Sequence, residues 1–242
     1  MRDCSPHAHL GSTAEPHGGA SGFLEGVTPE QLACARTCLG LQLRSFERGE
    51  EIVACTAGHA RYGVLDSGLV LDVRRYPDGE RSLVDVIEPG DLFGEGWRAG
   101  SWGAGEPPRE RAAIGSSPGS VLLLDAARLA DPDVVCLAKP VIQNNLLQSV
   151  LHKQERLRAK IEILRHRSLR ARIASYLLVE ARRRGARHLT LPLTRTLFAE
   201  YLHADRAAVS RELSRMRDDG LIDYHRNSFV LLSLDEAALS TD

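Results

Sequence analysis

Near residue 139 the spacing of apolar side chains changes, and that change divides what this chain can build. From about 43 to 125 the apolar residues fall in short β-prone runs, YGVLDSG, LVLDVRRY, RSLVDVIE and SVLLLD, separated by Gly-, Pro- and Asp-rich turns. Runs of this kind at near-regular intervals predict an antiparallel sandwich or barrel. YPDGE at 76–80 predicts a hairpin, since Pro presets φ and Gly accepts a positive one. From about 139 to 166, Ile142, Leu146, Val150, Leu157, Ile161 and Leu164 recur at helical spacing, with a break near Lys153. The other faces of that helix are almost all polar, which predicts pairing with a second copy of itself; the alternative is a fold-back onto its own domain.

The flanks carry clear punctuation. Residues 1–22 are rich in Gly, Ser, His and Pro and predict a disordered tail. Cys4, His7, His9 and His17 lie in that tail, but their spacing fits no standard zinc-finger pattern, and no metal ligands are assigned. TPEQLACARTCLG (28–40) predicts a helix with Thr28 as N-cap, Pro29 in its first turn and Gly40 closing it. Ser168 caps a further helix that Gly185 ends, and HLTLPL (188–193) alternates as a strand. Thr194 opens a short helix, the turn HADR leads into an arginine-rich one, and residues 222–233 predict a hairpin turning at Arg226-Asn227. The class is α+β: a jelly-roll-like antiparallel β-roll, a long dimerisation helix and a C-terminal winged helix-turn-helix. The divisions expected are a tail at 1–22, a β domain at 23–138, the helix at 139–166 and the helix-turn-helix domain at 167–242.

Charge separates along the same line. Residues 1–150 carry 13 Lys/Arg and 20 Asp/Glu, a balance of −7, whereas residues 151–226 carry 18 and 9, a balance of +9. A basic module points first to phosphates, usually those of nucleic acid. No apolar run is long enough to span a membrane, and no signal peptide opens the chain, so the expected location is the cytoplasm. Five irregularly spaced cysteines argue against a secreted disulfide scaffold. No P-loop, nucleophile elbow or zinc-hydrolase spacing is present, so no catalytic residue is assigned and an enzyme is not expected.

Helix, short turn, helix and hairpin is the grammar of a winged helix-turn-helix. Asp205 is a good N-cap for the second helix. At about 100° per residue, Arg206, Ala207, Ser210 and Arg211 share one face, while Val209, Leu213 and Met216 share another and can pack on Leu197, Phe198 and Leu202. The Arg/Ser face is what a major-groove reading helix needs: Arg donates to guanine O6 and N7, and Ser reaches a phosphate or a base edge. Thr194 and Arg195 are expected on backbone phosphate, and Arg226 at the hairpin tip on a flanking one.

LTRTLFAEYLHADRAAVSRELSRMRDDGLI resembles the helix-turn-helix of the Crp/Fnr family of bacterial transcription regulators, with its T-R opening, R-x-x-V-S-R core and G-L-I exit. SLRARIASYLL resembles that family's entry into the DNA-binding domain. FERGEEIV, DSGLVLDVRRYPDGERSLVDVIEPGDLFGE and RAAI resemble its cyclic-nucleotide-binding-type β-roll. The resemblance implies a homodimeric regulator of double-stranded DNA at a near-palindromic site, with RNA polymerase as a further partner. It places base contacts at Arg206, Ala207 and Arg211, and a backbone contact at Ser210. Position 207 is commonly Glu in the family, accepting from cytosine N4; Ala207 offers only an apolar contact to a thymine methyl. His203 stands where the family commonly has Gly in the turn.

The effector stays open. Gly94-Glu95 and Arg111-Ala112 match the letters with which the family's nucleotide binders hold ribose and cyclic phosphate. The loop between them, GWRAGSWGAGEPPRE, is longer than in those binders, and Leu157 and Arg158 replace their Thr-Ser pair. Trp97 and Trp102 in that loop either stack on an effector or anchor the loop. The iron–sulfur cluster of the Fnr branch needs three closely spaced N-terminal cysteines and a distant fourth, which Cys4, Cys34 and Cys38 do not provide. Buried apolar packing is the default for Cys34 and Cys38, and a thiol switch involving them or Cys55 is the alternative. A rival to the DNA-binding reading is an effector-sensing regulator that uses the basic helix on another protein.

Overall fold

In the computed structural model, residues 20–52, 55–56, 59–77, 80–94 and 111–235 are described. The four β-prone runs become β3 (His59–Ser67), β4 (Val70–Arg75), β5 (Arg81–Ile87) and β8 (Gly119–Asp125), and four further strands join them: β1 (Gln42–Phe46), β2 (Cys55–Thr56), β6 (Leu92–Phe93) and β7 (Arg111–Gly115). They form two antiparallel sheets, one ordered β1-β8-β3-β2 with β6 also on β3, the other β5-β4-β7. The pairing expected on either side of the 76–80 stretch is present: Arg75 faces Arg81, and Tyr76 N–H donates to the Glu80 carbonyl at 2.8 Å.

Two apolar cores explain why SVLLLD is continuously apolar rather than alternating. Val121 and Leu123 join Phe46, Leu65, Val70 and Ile87 in one cluster. Leu122 and Leu124 point the other way, into a second cluster with Val64. Helices cover that second face: α1 (Ala20–Phe23), α2 (Pro29–Cys38), α3 (Ala126–Ala130) and the start of α4 (Lys139–Arg165). A strand buried on both faces needs apolar residues at every position. Gly63 in β3 lies against the ring of Phe93, which a Cβ there would meet at 2.8 Å.

Helix α2 starts as expected at Thr28, with a capping box that Gln31 completes. Residues 20–22, expected within the tail, instead belong to α1, whose Ala20 and Phe23 are buried in the second cluster. Asn145 of α4 holds the chain after α1 by donating to the Phe23 and Glu25 carbonyls at 2.8 and 2.9 Å.

The apolar stripe expected along α4 is not one surface. Ile142 is fully buried and Leu146 packs beside it in the second cluster, whereas Val150, Leu157 and Ile161 are exposed together with Leu147 and Leu151. The break near Lys153 has a structural role, since its ammonium donates to the Leu92 carbonyl at 3.0 Å.

The chain divides within α4, between Lys153 and Gln154, into two compact units. The second contains α5 (Leu169–Arg184), β9 (His188–Thr190), α6 (Arg195–Tyr201), α7 (Arg206–Asp218), β10 (Ile222–His225) and β11 (Ser228–Leu231). Its three strands form an antiparallel sheet ordered β10-β11-β9. Ser168 caps α5 by accepting from Ala171 N–H, and Gly185 ends it at φ 61. Strand β9 stops at Thr190, short of the run expected to 193, although Leu191 and Leu193 remain buried. Pro192 lacks the N–H that would continue the ladder. Among the described residues, no helix is long and apolar enough to cross a membrane.

Candidate nucleic-acid interface

Helix α7 is fixed at its start and along one face. The Asp205 carboxylate accepts from the N–H groups of Ala207 and Ala208 at 2.8 and 3.0 Å. Val209, Leu213 and Met216 are each 0% exposed. They lie in a core with Phe198, Ala199 and Leu202 of the α6 segment, all buried as well, while Leu197 is half-buried. An aromatic chain extends this core into the sheet: Tyr176 meets Phe198 at 5.0 Å between ring centroids, Phe198 meets Phe229 at 6.3 Å, and Phe229 stacks on Tyr224 at 5.9 Å.

The turn between the helices takes the strain anticipated for it. His203 sits at φ 51, in the left-handed region that glycine adopts most readily. Arg172 steadies this turn by donating to the Leu202 carbonyl at 3.2 Å. The hairpin does turn at Arg226-Asn227, with Arg226 also left-handed at φ 53.

The four arginines of α7 divide into two pairs. Arg215 forms an ion pair with Glu212 at 3.1 Å, and Arg217 lies over the Tyr224 ring at 5.4 Å. Glu212 is also held by Arg170 of α5 at 2.7 Å, and the same guanidinium reaches Asp219 at 2.7 Å. The hydrogen bond to Glu212 is the main reason the Arg170 pKa is raised. Arg206 and Arg211 are exposed, as is Ala207 between them. Ser210 is half-buried and its hydroxyl donates to the Arg206 carbonyl at 3.0 Å, which leaves its oxygen able to accept.

Thr194 is exposed and caps α6 by accepting from Leu197 N–H at 3.3 Å, with its own hydroxyl proton still to donate. Arg195 turns onto the hairpin rather than outward. Its guanidinium donates to the Arg226 carbonyl at 2.7 Å and lies over the rings of Tyr224 and Phe229 at 5.3 and 5.7 Å. Burial lowers its pKa, and the nearby charge of Arg206 adds to that against the opposing effect of Tyr224. Arginine's ordinary value is high enough that it stays cationic. A groove of about 390 Å³ opens beside it, lined by Pro192, Thr194, Arg195, Arg226 and Asn227 among others.

In the first unit, Gly94 ends β6 at φ 103. Arg111 and Ala112 start β7, paired with Arg74 and Val73 on the other sheet. Ala112 is buried, and of Arg111 only the backbone is described. Glu95, Trp97 and Trp102 lie outside the described residues, as does Cys4.

Spacing along the sequence did not reveal one cluster in this unit. Cys34, Cys38 and Cys136 come together with all three sulfurs within 4.8 Å of one another. Cys34 and Cys38 at i,i+4 on α2 were the only sequence signal for it. Cys136, about a hundred positions later, joins them only through the fold. Burial is the main cause that raises the Cys136 pKa.

Comparison with known proteins agrees with this geometry. Residues 171–241 match the Crp-like helix-turn-helix domain. The chain is 28% identical over 216 residues to the CRP-like cAMP-activated global transcriptional regulator of Mycobacterium tuberculosis, covering 87% of this chain and 92% of that one. It is 25% identical over 213 residues to the transcriptional activator protein FnrL of Cereibacter sphaeroides, covering 82% of each. Among solved structures, a CRP-family transcriptional regulator from Thermus thermophilus matches at 26% identity and a TM-score of 0.55, over 81% of this chain and 94% of that one. FixK2 from Bradyrhizobium japonicum shares the fold at 22% identity and a TM-score of 0.59, over 83% of this chain and 96% of that one. Residues 171–241 thus carry a Crp-like helix-turn-helix domain, and along most of its length the chain is similar to Crp/Fnr-type DNA-binding transcription regulators.

Proposed function

We propose that two copies of this chain pair through α4 and set their α7 helices into successive major grooves of a near-palindromic DNA site. The observation that carries the reading is the division of α7: its apolar residues are sequestered while Arg206, Ala207 and Arg211 stay exposed. Arg206 and Arg211 then donate to guanine edges, and Ala207 meets a thymine methyl. Ser210, Thr194 and Arg226 contact phosphate. Arg195 acts at one remove, holding the peptide that carries Arg226. Pairing is supported by Leu147, Val150, Leu151, Leu157 and Ile161, exposed along a helix of 27 residues. Paired heads about 34–36 Å apart match one helical turn of DNA.

The first unit then supplies control. Gly94-Glu95 and Arg111-Ala112, with Trp97 and Trp102 between them, make a cyclic nucleotide the first effector to test, and the cAMP-activated relative points the same way. An effector shifts the pose of the two heads only by binding one of two states better. The setting is the bacterial cytoplasm, with RNA polymerase as the next partner.

The test is binding of the full-length protein to DNA upstream of its own gene, with and without cAMP, across a salt series. Affinity should fall linearly on a log–log plot. Arg206→Ala/Arg211→Ala should abolish binding while light scattering still reports a dimer. A double variant that binds like the parent would sink the DNA reading and favour use of the basic helix on another protein.

A further inference from the structure

We propose that Cys34, Cys38 and Cys136 form a binding site for a single soft d10 cation, held by three thiolates. The sulfurs of Cys34 and Cys38 are 3.6 Å apart and those of Cys34 and Cys136 are 3.5 Å apart. Thiolates about 2.3 Å from one tetrahedral zinc ion stand about 3.8 Å from each other, within a few tenths of an ångström of these two separations. A 4Fe–4S cluster takes one thiolate at each iron and spreads them farther apart than the three sulfurs here, which all lie within 4.8 Å of one another. Thiolate-only donor sets select soft cations over magnesium, calcium or manganese.

The surroundings suit a closed site. Cys34 and Cys38 lie one turn apart on α2, so both sulfurs face the same side. Cys136 is buried at the entry to α4, where the Lys139 N–H donates to the Cys136 carbonyl at 3.1 Å and fixes the backbone that carries the third thiol. The support continues outward: Gln31 of α2 donates to the Leu137 carbonyl at 3.3 Å, and Arg128 donates to the Thr37 carbonyl at 3.1 Å. Both ligand-bearing segments are therefore positioned by contacts that do not involve the sulfurs. On binding, each thiol releases its proton to solvent as its metal–sulfur bond forms, and no sulfur changes oxidation state. The ion would clamp α2 to the segment that leads into α4.

The experiment uses the reduced full-length chain carrying Cys4→Ser/Cys55→Ser, so that only the three clustered thiols remain. Cadmium(II) is titrated without oxygen, and thiolate-to-metal charge-transfer absorption is read in the ultraviolet, with native mass spectrometry for stoichiometry. One equivalent should saturate the band, zinc(II) should displace it competitively, and the melting temperature should rise with metal. Cys136→Ala should remove the band while circular dichroism stays unchanged. If that variant does not fold, Cys34→Ala, on the more accessible helix, decides in its place with at least a tenfold loss of affinity. Absence of a band at one equivalent, or a band that survives both substitutions, would overturn the site and leave the three thiols as packing groups.

Discussion

The two compact units handle charge in opposite ways. The first buries carboxylates: Asp66 and Asp85 are nearly inaccessible, and each accepts a neutral donor, the Ser120 hydroxyl at 2.8 Å and the Val86 N–H at 2.9 Å respectively. The second folds its cations into the structure. Arg170 bridges α5 to Glu212 and Asp219, Arg187 donates to the Leu231 carbonyl at 2.9 Å, and buried Lys160 lies over the Tyr201 ring at 4.3 Å. Net charge is therefore a poor count of contacts. The balance of +9 over residues 151–226 identifies the unit that meets phosphate, but much of that charge ties helices, strands and rings together. What remains for a partner is the part of α7 that apolar burial turns outward.

Substitutions separate structural from recognition residues, and the largest effect belongs to the aromatic core. Phe198→Ala removes the ring between Tyr176 and Phe229 and should destabilise the second unit by about 3–5 kcal/mol in denaturant unfolding. A loss below about 1 kcal/mol would mean that the arginine network, not this core, holds the unit. Arg211→Ala should lower DNA affinity by about 1–3 kcal/mol, roughly fivefold to 150-fold, with an unchanged unfolding midpoint. Fluorescence anisotropy on matched and mismatched sites reads this, and a shifted midpoint would move Arg211 to the structural group. Asp205→Ala frees the N–H groups of Ala207 and Ala208 and should cost about 1 kcal/mol of stability by thermal melting. Arg226→Gly should give the smallest change. Relief of the left-handed residue adds about 0.5–1 kcal/mol of stability. Loss of its phosphate contact lowers the salt slope by about 0.9 per protomer.

The recognition half of the molecule was legible because its parts are neighbours in sequence. Thr194, His203, Asp205 and the Arg226-Asn227 tip all act within a stretch of under forty residues, through caps and turns whose chemistry is local. Strands β3, β4, β5 and β8 of the roll were legible from their apolar runs. The aim of Arg195 was not, because it depends on a hairpin thirty positions downstream. Nor was the division of the α4 stripe. Ile142 and Val150 share a periodicity, and only the contacts made by the first turns decide that one is core and the other surface. Helix α1 was missed because four residues carry no periodic signal and are held by the carbonyl contacts of Asn145.

By itself, the sequence determined where the capped helices α2, α5, α6 and α7 begin, and which helix would carry exposed arginine. Periodicity, caps and turn residues act over a few positions, and the chain states them directly. Tertiary structure alone decided which arginines are spent on ion pairs and rings, and which apolar residues of α4 reach solvent. It also brought Cys136 to Cys34 and Cys38. Those outcomes depend on groups far apart in the chain meeting at distances of 3–5 Å, and no local pattern encodes which distant residues will meet.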